Sequence, residues 1–330
     1  MMGGYTRFGA VRFAGRGALL VSLCFVVLPS RVAAQTILKA ERRIAFASGR
    51  GSLSVKAAQG GELYVLNRED KCVWLFDSGG SSRGHISSVG MGPADLLEPM
   101  DLAVDKFGSA IVADASGMIK IFDKSGKLSG SFPFKRPEQV SVLSDGRILV
   151  SGFPTTALIE VFDRNGHKVG QIGEPIVQDD NPFFNSVLNA GIIAVDDSDN
   201  IFYVFRFRTT PTVRRYTAAG VLLSEWTVKA PHLDDLVAQA KAKYAENKQA
   251  GQYGGVPLFT AASFDIGSRT LWLASLDTVF QVDDRGETTR FFRLRTPELR
   301  PVQARGLQIE GNTVRAASLM SGVYEIVLPK

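Results

Sequence analysis

Short apolar runs alternate with turns rich in glycine and acidic residues along most of the chain. The clearest stretch, LAVDKFGSAIVADASGMIKIFDKSGKLSGSF from residue 102, has strand-like runs separated by such turns. These runs are rich in β-branched and aromatic residues, and many alternate apolar with polar positions, which is typical of half-buried β-strands. The pattern therefore predicts an all-β protein of short antiparallel strands.

The same unit recurs along the chain, and each copy carries a characteristic residue pair just before the turn that follows its third strand. These pairs are Phe76-Asp77, Phe122-Asp123, Phe162-Asp163, Tyr216-Thr217, Val282-Asp283 and Tyr324-Glu325. Repeated four-stranded units predict a β-propeller, whose blades bury each other's faces around a central axis. We predict a six-bladed propeller of four-stranded antiparallel blades, with seven blades as the alternative count.

The last unit ends after only three strands, at the end of the chain. The N-terminal run ERRIAFA, residues 41–47, has the composition of a strand and no other partner in the repeat. We therefore predict that it supplies the fourth strand of the last blade. This exchange would close the ring and leave no open sheet edge there.

One unit, GMGPADLLEPMDLAVDKFGSAIVADASGMIKIFDKSG, resembles an NHL repeat. It has a Gly-Pro-acid loop, a proline, a Leu-Ala-Val-Asp strand, a glycine turn, a Val-Ala-Asp strand and a Phe-Asp-x-x-Gly end. As a whole, the chain resembles the secreted bacterial six-bladed propellers of the NHL-repeat or TolB-like type. The resemblance implies a scaffold that binds proteins, carbohydrate or small ligands on one face, and it implies no single activity.

The first 34 residues have the layout of a secretory signal peptide. Arg7, Arg12 and Arg16 precede the apolar run ALLVSLCFVVL, and RVAA follows, which suits cleavage after Ala34. An uncleaved N-terminal anchor is the alternative. This segment carries four of the five formal net positive charges, so the basic balance gives little support for nucleic-acid binding. We predict that residues 35–330 form one secreted or periplasmic propeller with no membrane span and no nucleic-acid partner.

Two insertions interrupt the repeat, at residues 174–191 and 229–259. In a propeller, the connections between blades and those between second and third strands lie on one face, which we call the loop face; both insertions belong to it. The second insertion has apolar residues at helical spacing, acids early and lysines late, which predicts a helix over about 232–249. This helix is interpreted either as a plug of the channel or as a lid over a ligand.

Five residues in or near the insertions are candidates for ligand binding on the loop face. They are Arg206, Arg208, Phe183, Phe184 and Tyr244. In the segment FRFRTTPTVRRY, alternation predicts Arg206 and Arg208 on one side of a strand. Arginine guanidinium groups beside aromatic rings are well placed to bind a carboxylate, a phosphate or a sulfated sugar. A solvated strand face, with arginine stems covering apolar surface, is the competing interpretation.

The first strands of the units are predicted to line a central channel. Their inward-facing polar candidates are Asp101, Gln139, Ser141, Ser263, Asp265 and Gln308. This ring has no obvious acid–base pair. The three histidines lie in three different loops without metal-ligand spacing, and we expect them to be surface residues. The acidic run DDSDN, residues 196–200, is predicted to be a turn between two strands rather than a calcium loop.

Together these features favour a non-catalytic binding protein without a metal or a cofactor. Its predicted ligand is a protein, a carbohydrate or a small acidic molecule, bound on the loop face. The alternative is a metal-assisted hydrolase or lyase, similar to the six-bladed lactonases, with its site in the central channel.

Overall fold

The computed structural model describes residues 36–44, 50–58, 60–87, 89–154 and 156–329. The predicted signal peptide, residues 1–34, lies outside the described residues, as does the last part of the predicted N-terminal strand. The described residues contain no helix whose length and apolarity would let it cross a membrane.

The strands form six sheets, and each sheet corresponds to one predicted repeat. Two short strands, β1 (Thr36–Lys39) and β2 (Arg42–Ile44), precede the first blade. Blade 1 consists of β3 (Ser52–Ala57), β4 (Leu63–Asn67), β5 (Cys72–Phe76) and β6 (Ser82–Ile86). Blade 2 consists of β7 (Pro99–Val104), β8 (Ala110–Asp114), β9 (Met118–Phe122) and β10 (Leu128–Pro133). Blade 3 consists of β11 (Gln139–Val142), β12 (Ile148–Ser151), β13 (Ile159–Phe162) and β14 (Lys168–Ile172).

The other three blades follow the same antiparallel order. Blade 4 consists of β15 (Gly191–Val195), β16 (Ile201–Phe205), β17 (Thr212–Tyr216) and β18 (Leu222–Thr227). Blade 5 consists of β19 (Ala261–Asp265), β20 (Thr270–Ser275), β21 (Thr278–Val282) and β22 (Thr288–Arg295). Blade 6 contains β23 (Gly306–Glu310), β24 (Thr313–Ser318) and β25 (Gly322–Val327). The first strands contact one another in the order β3, β7, β11, β15, β19, β23 and back to β3, so the six blades form a closed ring.

The N-terminal strands complete blades 5 and 6. Strand β2 pairs antiparallel with β25, with Arg42 opposite Glu325, so the predicted closure of the last blade is confirmed. Strand β1 adds a fifth strand to blade 5 by pairing parallel with β22. Its pairing was not predicted, because a four-residue strand in which only Leu38 is buried carries almost no periodic signal.

Aspartates in the turns explain the recurring Phe-Asp-x-x-Gly motif. One carboxylate oxygen of Asp123 accepts hydrogen bonds from the backbone N–H groups of Ser125 at 2.9 Å and Lys127 at 3.1 Å. Gly126 then adopts φ +84°, a left-handed conformation that glycine tolerates without steric cost. Asp196 holds its own turn in the same way by accepting from Ser198 and Asn200, so the predicted turn in the DDSDN run is confirmed.

The hydrophobic core is divided among the contacts between neighbouring blades. For example, one buried cluster joins Ile111 of blade 2 to Val150 of blade 3, and another joins Ile159 of blade 3 to Tyr203 of blade 4. Other clusters join blades 1 and 2, 4 and 5, 5 and 6, and 6 and 1. Each blade therefore buries both of its faces, which a single four-stranded sheet cannot do alone.

Two helices lie in the insertions. Helix α2 (Leu233–Ala250) matches the predicted helix, ends at Gly251 with φ +63°, and buries Leu236 and Ala240 against blades 4 and 5. Helix α1 (Pro182–Leu188) was not predicted. Its seven residues give too few turns for a periodic pattern, although Asn181 caps it by accepting a hydrogen bond from the N–H of Phe183 at 2.9 Å.

Candidate functional site

A cleft of about 880 Å³ lies beside blade 3 on the loop face, and we call it the blade 3 cleft. Its walls come from three segments: residues 133–136 after β10, residues 152–154 and 156–158 between β12 and β13, and the start of α1. The lining is mostly apolar and includes Phe134, Phe153, Phe162, Phe183, Pro154 and Pro182. Clefts of this size and composition are typical of small-molecule sites.

Two segments approach so closely at the cleft wall that only glycine fits. A side chain on Gly152 would place its Cβ 2.5 Å from the carbonyl oxygen of Arg136, which is well inside contact distance. Arg136 itself adopts φ +53°, an uncommon conformation for a residue with a side chain. Its guanidinium lies 5.3 Å from the centre of the Phe153 ring, which is a cation–π contact.

Basic residues at the cleft give it a positive character. Lys135 and Arg136 are exposed, and neither forms an ion pair with any described residue. The lining acid Glu160 is already paired with Lys168 at 2.8 Å. An apolar cleft with unpaired cations at its rim suits an aromatic or apolar ligand that carries a negative group.

Helix α1 places Phe183 on the lining of the cleft, and neighbouring aromatic side chains pack around it. The Phe183 side chain lies on the lining and keeps 46 % exposure, while Phe184 is buried. The ring centre of Tyr253 lies 4.2 Å from that of Phe183 and 5.2 Å from that of Phe184. Tyr244 of α2 meets Phe184 edge-on at 5.7 Å. Of the three predicted aromatic residues, the structure therefore brings only Phe183 to the cleft; Phe184 and Tyr244 support it.

A buried carboxylate ties the two insertions together. The side chain of Asp179 is 2 % exposed and accepts hydrogen bonds from Lys248 at 2.7 Å and from the hydroxyl of Tyr244. These contacts, with Lys248 the largest, lower the pKa of Asp179 to about 2. These contacts fasten helix α2 to the segment that precedes α1. The central channel opens on the loop face in a cavity of about 160 Å³, which we call the channel mouth, and α2 contributes no residue to its lining. The structure thus disfavours its interpretation as a channel plug.

Arg206 and Arg208 do not share a strand face, which corrects the prediction. Strand β16 ends at Phe205, so both arginines lie in the following connection, where strand alternation no longer applies. Arg206 turns into the channel mouth, with Nη1 3.5 Å from a carboxylate oxygen of Glu138. Arg208 instead lies 5.0 Å over the ring of Phe205. Arg214 also lies over that ring, at 5.5 Å, so Arg208 and Arg214 together cover the Phe205 side chain.

The predicted channel residues divide between two cavities and a turn. Asp101 and Gln139 line the mouth on the loop face, where loss of bulk water raises the pKa of Asp101. Ser141, Ser263 and Gln308 line a second cavity, of about 320 Å³, which extends toward the opposite face. Lys56 reaches both cavities.

Asp265 departs from the predicted ring. Its carboxylate accepts hydrogen bonds from the N–H groups of Gly267, Ser268 and Gly311. This aspartate therefore closes its own turn and links blade 5 to blade 6. Asp265 is the last residue of β19 and therefore belongs to the following turn, whereas Asp101 lies within β7.

One histidine is not the surface residue that the sequence suggested. His232 precedes α2 and lies 5.3 Å from the ring of Phe280 and 5.1 Å from that of Phe291. Its Nε2 contacts the Thr278 hydroxyl at 3.0 Å. Burial lowers its pKa to about 4. The described residues contain no group of three or more histidine, cysteine, aspartate or glutamate side chains arranged to hold a metal ion.

Sequence reasoning missed most of the cleft. Phe134, Arg136 and Phe153 were not singled out, because the repeat alignment treats their segments as ordinary connections. One signal was present: the connection between β12 and β13 contains FPTTA, which is apolar where the corresponding segment of blade 2 is the polar run ASG. An apolar residue at a loop tip is a candidate binding residue.

Solved structures share the fold at low sequence identity. Virginiamycin B lyase from Staphylococcus aureus, in a catalytically inactive form with quinupristin, gives a TM-score of 0.58 at 10 % identity, covering 86 % of this chain and 97 % of that chain. A streptogramin B lyase gives 0.53 at 13 % identity, covering 88 % and 87 %. Hydrazine synthase of Kuenenia stuttgartiensis gives 0.55 at 14 % identity, covering 86 % and 97 %.

These likenesses show the propeller fold and nothing finer, because propellers with unrelated activities share it. No protein-family model matches the chain, and no curated protein sequence matches it.

Proposed function

We propose that this propeller is a non-catalytic binding protein whose blade 3 cleft takes an aromatic or apolar small molecule with a negatively charged group. The observation that carries the proposal is the cleft itself: about 880 Å³, lined by phenylalanines and prolines, with Lys135 and Arg136 unpaired at its rim among the described residues. The aromatic rings would supply the apolar contact, and the cations would orient the anionic group.

The predicted alternative, a metal-assisted hydrolase or lyase in the channel, has weaker support. Asp101 and Glu138 are the acids of the channel mouth, and they share it with four basic side chains. That excess of positive charge opposes the binding of a divalent cation. We expect purified protein to carry no stoichiometric divalent metal and to melt at the same temperature with and without chelator. A stoichiometric metal whose removal lowers the melting temperature would favour the enzyme.

The localisation and the NHL-like or TolB-like type are part of the same proposal. The charged start, apolar run and small residues of positions 1–34 support export and cleavage. Mass spectrometry of protein recovered from the periplasm or medium of a bacterial host is expected to show Gln35 as the first residue. Recovery of an uncleaved chain from the cytoplasm would contradict export.

Fluorescence titration with 1-anilinonaphthalene-8-sulfonate tests the cleft, because this probe combines aromatic rings with one negative charge. Phe153→Ala is expected to weaken its binding about 2- to 10-fold, the range of a single aromatic contact. Arg136→Gln is expected to weaken it about 2- to 5-fold, as for an exposed ion pair. The neutral analogue N-phenyl-1-naphthylamine should be sensitive to Phe153→Ala and insensitive to Arg136→Gln.

Two matched control variants lie in turns on the opposite face. Phe107, between β7 and β8, is 65 % exposed, and Arg285, between β21 and β22, is exposed. Phe107→Ala and Arg285→Gln should leave the binding of both probes unchanged. If the cleft variants bind the sulfonate probe as tightly as these controls do, the cleft is not its site and the proposal fails.

A further inference from the structure

The mouth of the central channel, on the loop face, is a small cavity with excess positive charge. Its volume is about 160 Å³, and it is separate in its lining from the blade 3 cleft. Six charged side chains from different strands and connections line it: Lys56, Arg68, Arg206, Arg305, Asp101 and Glu138. Four of them are cations and two are acids, so the lining carries a formal charge of +2.

Arg206 is the most enclosed of these cations and is poorly satisfied. Its side chain is 14 % exposed, and the contact with Glu138, at 3.5 Å, is longer than a hydrogen bond. Its Nε is buried and has no hydrogen-bond partner among the described residues. Burial, the largest cause, and the charge of Arg305 both lower the pKa of Arg206. A buried guanidinium with a spare donor, facing a second arginine, is a costly arrangement unless an anion completes it.

Of the other three cations, Lys56 interacts electrostatically with Asp101 without forming an ion pair. Arg68, Arg305 and Lys56 form no ion pair with any residue that the structure describes. Arg68 and Arg305 are exposed and can adjust to a ligand, whereas Lys56 is half-buried on β3. Two exposed arginines and a half-buried lysine around one enclosed guanidinium resemble the arrangement by which proteins hold phosphate or carboxylate groups.

The two acids are partly occupied by other contacts. Asp101 accepts a hydrogen bond from the N–H of Val140 at 3.1 Å and one from the Ser54 hydroxyl. The Glu138 carboxylate makes the long contact with Arg206. The acids therefore do not neutralise the mouth, and positive potential is focused into a narrow opening between low-dielectric walls.

We propose that the channel mouth binds a small oxyanion, a phosphate group or a compact carboxylate, between Arg206 and Arg305. A cavity of about 160 Å³ admits a phosphate group or a short dicarboxylate. The site is independent of the proposed cleft ligand, since no residue lines both.

Isothermal titration with inorganic phosphate and with malonate, at constant ionic strength set with chloride, tests the site. Saturable one-to-one binding is expected, and its affinity should fall as the salt concentration rises. Arg206→Gln is expected to weaken it about tenfold or more, since it removes a buried charge contact. Arg305→Gln, an exposed substitution that should not disturb folding, is expected to weaken it by a smaller factor.

Arg285→Gln, in a turn on the opposite face, is the matched control and should bind like the unmodified protein. Binding of the two anions should also leave the fluorescence titration of the cleft unchanged, which separates the two sites. The absence of saturable binding by both anions would overturn the proposal. Equal affinity in the Arg305→Gln variant and the Arg285→Gln control would overturn it as well. If phosphate binds and malonate does not, a phosphate group is the ligand chemistry; the reverse result identifies a carboxylate.

Discussion

The hydroxyl of Tyr203 joins three parts of the molecule behind the blade 3 cleft. The residue is fully buried on β16, and its hydroxyl donates to the carbonyl of Asn189, at the end of α1, at 2.7 Å. It also lies 3.2 Å from the Ser151 hydroxyl, which donates to the carbonyl of Leu158 at 2.7 Å. Ser151 and Leu158 line the cleft. One hydroxyl therefore connects blade 4, α1 and the cleft wall.

Replacing Tyr203 by phenylalanine removes this hydroxyl and keeps the ring. The carbonyl of Asn189, a residue only 1 % exposed, would lose the donor from Tyr203. An unsatisfied buried group of this kind costs about 1–3 kcal/mol of the free energy of unfolding. In a propeller of this size, that loss corresponds to a fall in melting temperature of about 2–6 °C.

Differential scanning calorimetry measures the change, and Tyr324→Phe is its matched control. Tyr324 is 3 % exposed, but its hydroxyl makes no hydrogen bond within the described part of the chain. Its replacement is expected to change stability by less than about 0.5 kcal/mol. If Tyr203→Phe proves as stable as Tyr324→Phe, the hydroxyl network does not secure the cleft wall, and this reasoning is refuted.

Three further predictions concern the same face. Burial holds the pKa of His232 at about 4, below its usual 6.5, so the unfolded chain binds more protons than the folded protein between these pH values. The melting temperature should therefore fall from pH 6.5 to pH 4. The fall should be smaller in the His232→Gln variant. Asp179→Asn loses the ion pair with Lys248, so hydrogen exchange should accelerate in α2; in the unmodified protein this contribution is present above the ordinary aspartate pKa of 3.8 and is lost as pH falls through about 2. Gly152→Ala would place a Cβ against the carbonyl of Arg136, which should lower the free energy of unfolding by about 1–3 kcal/mol. The urea midpoint should fall accordingly, and binding of the sulfonate probe should weaken. An unchanged midpoint contradicts this prediction.

The repeated elements were predictable because each has a local cause. The strand runs, the turn aspartates and the left-handed glycines recur in most blades, so a weak signal in one copy is strengthened by comparison with the others. The fourth strand of blade 6 followed from counting strands. Helix α2 was predictable because eighteen residues allow its apolar face and terminal charges to be recognised.

The cleft was not predictable in the same way, since it depends on contacts between distant segments. The approach of Gly152 to Arg136 and the tilted ring contact of Tyr253 with Phe183 are set by the packing of distant connections. The different directions of Arg206 and Arg208 depend on the end of β16 at Phe205. A sequence alone places strand ends only within a few residues, and here one residue decides the direction of a side chain.

A crystal structure of the protein with 1-anilinonaphthalene-8-sulfonate tests the central claim most directly. We predict that the aromatic rings lie against Phe153 and Phe183 in the blade 3 cleft, with the sulfonate within reach of Lys135 or Arg136. The channel mouth, at about 160 Å³, should not admit the rings. Density for the probe at any other place, with the cleft filled only by solvent, would contradict the account.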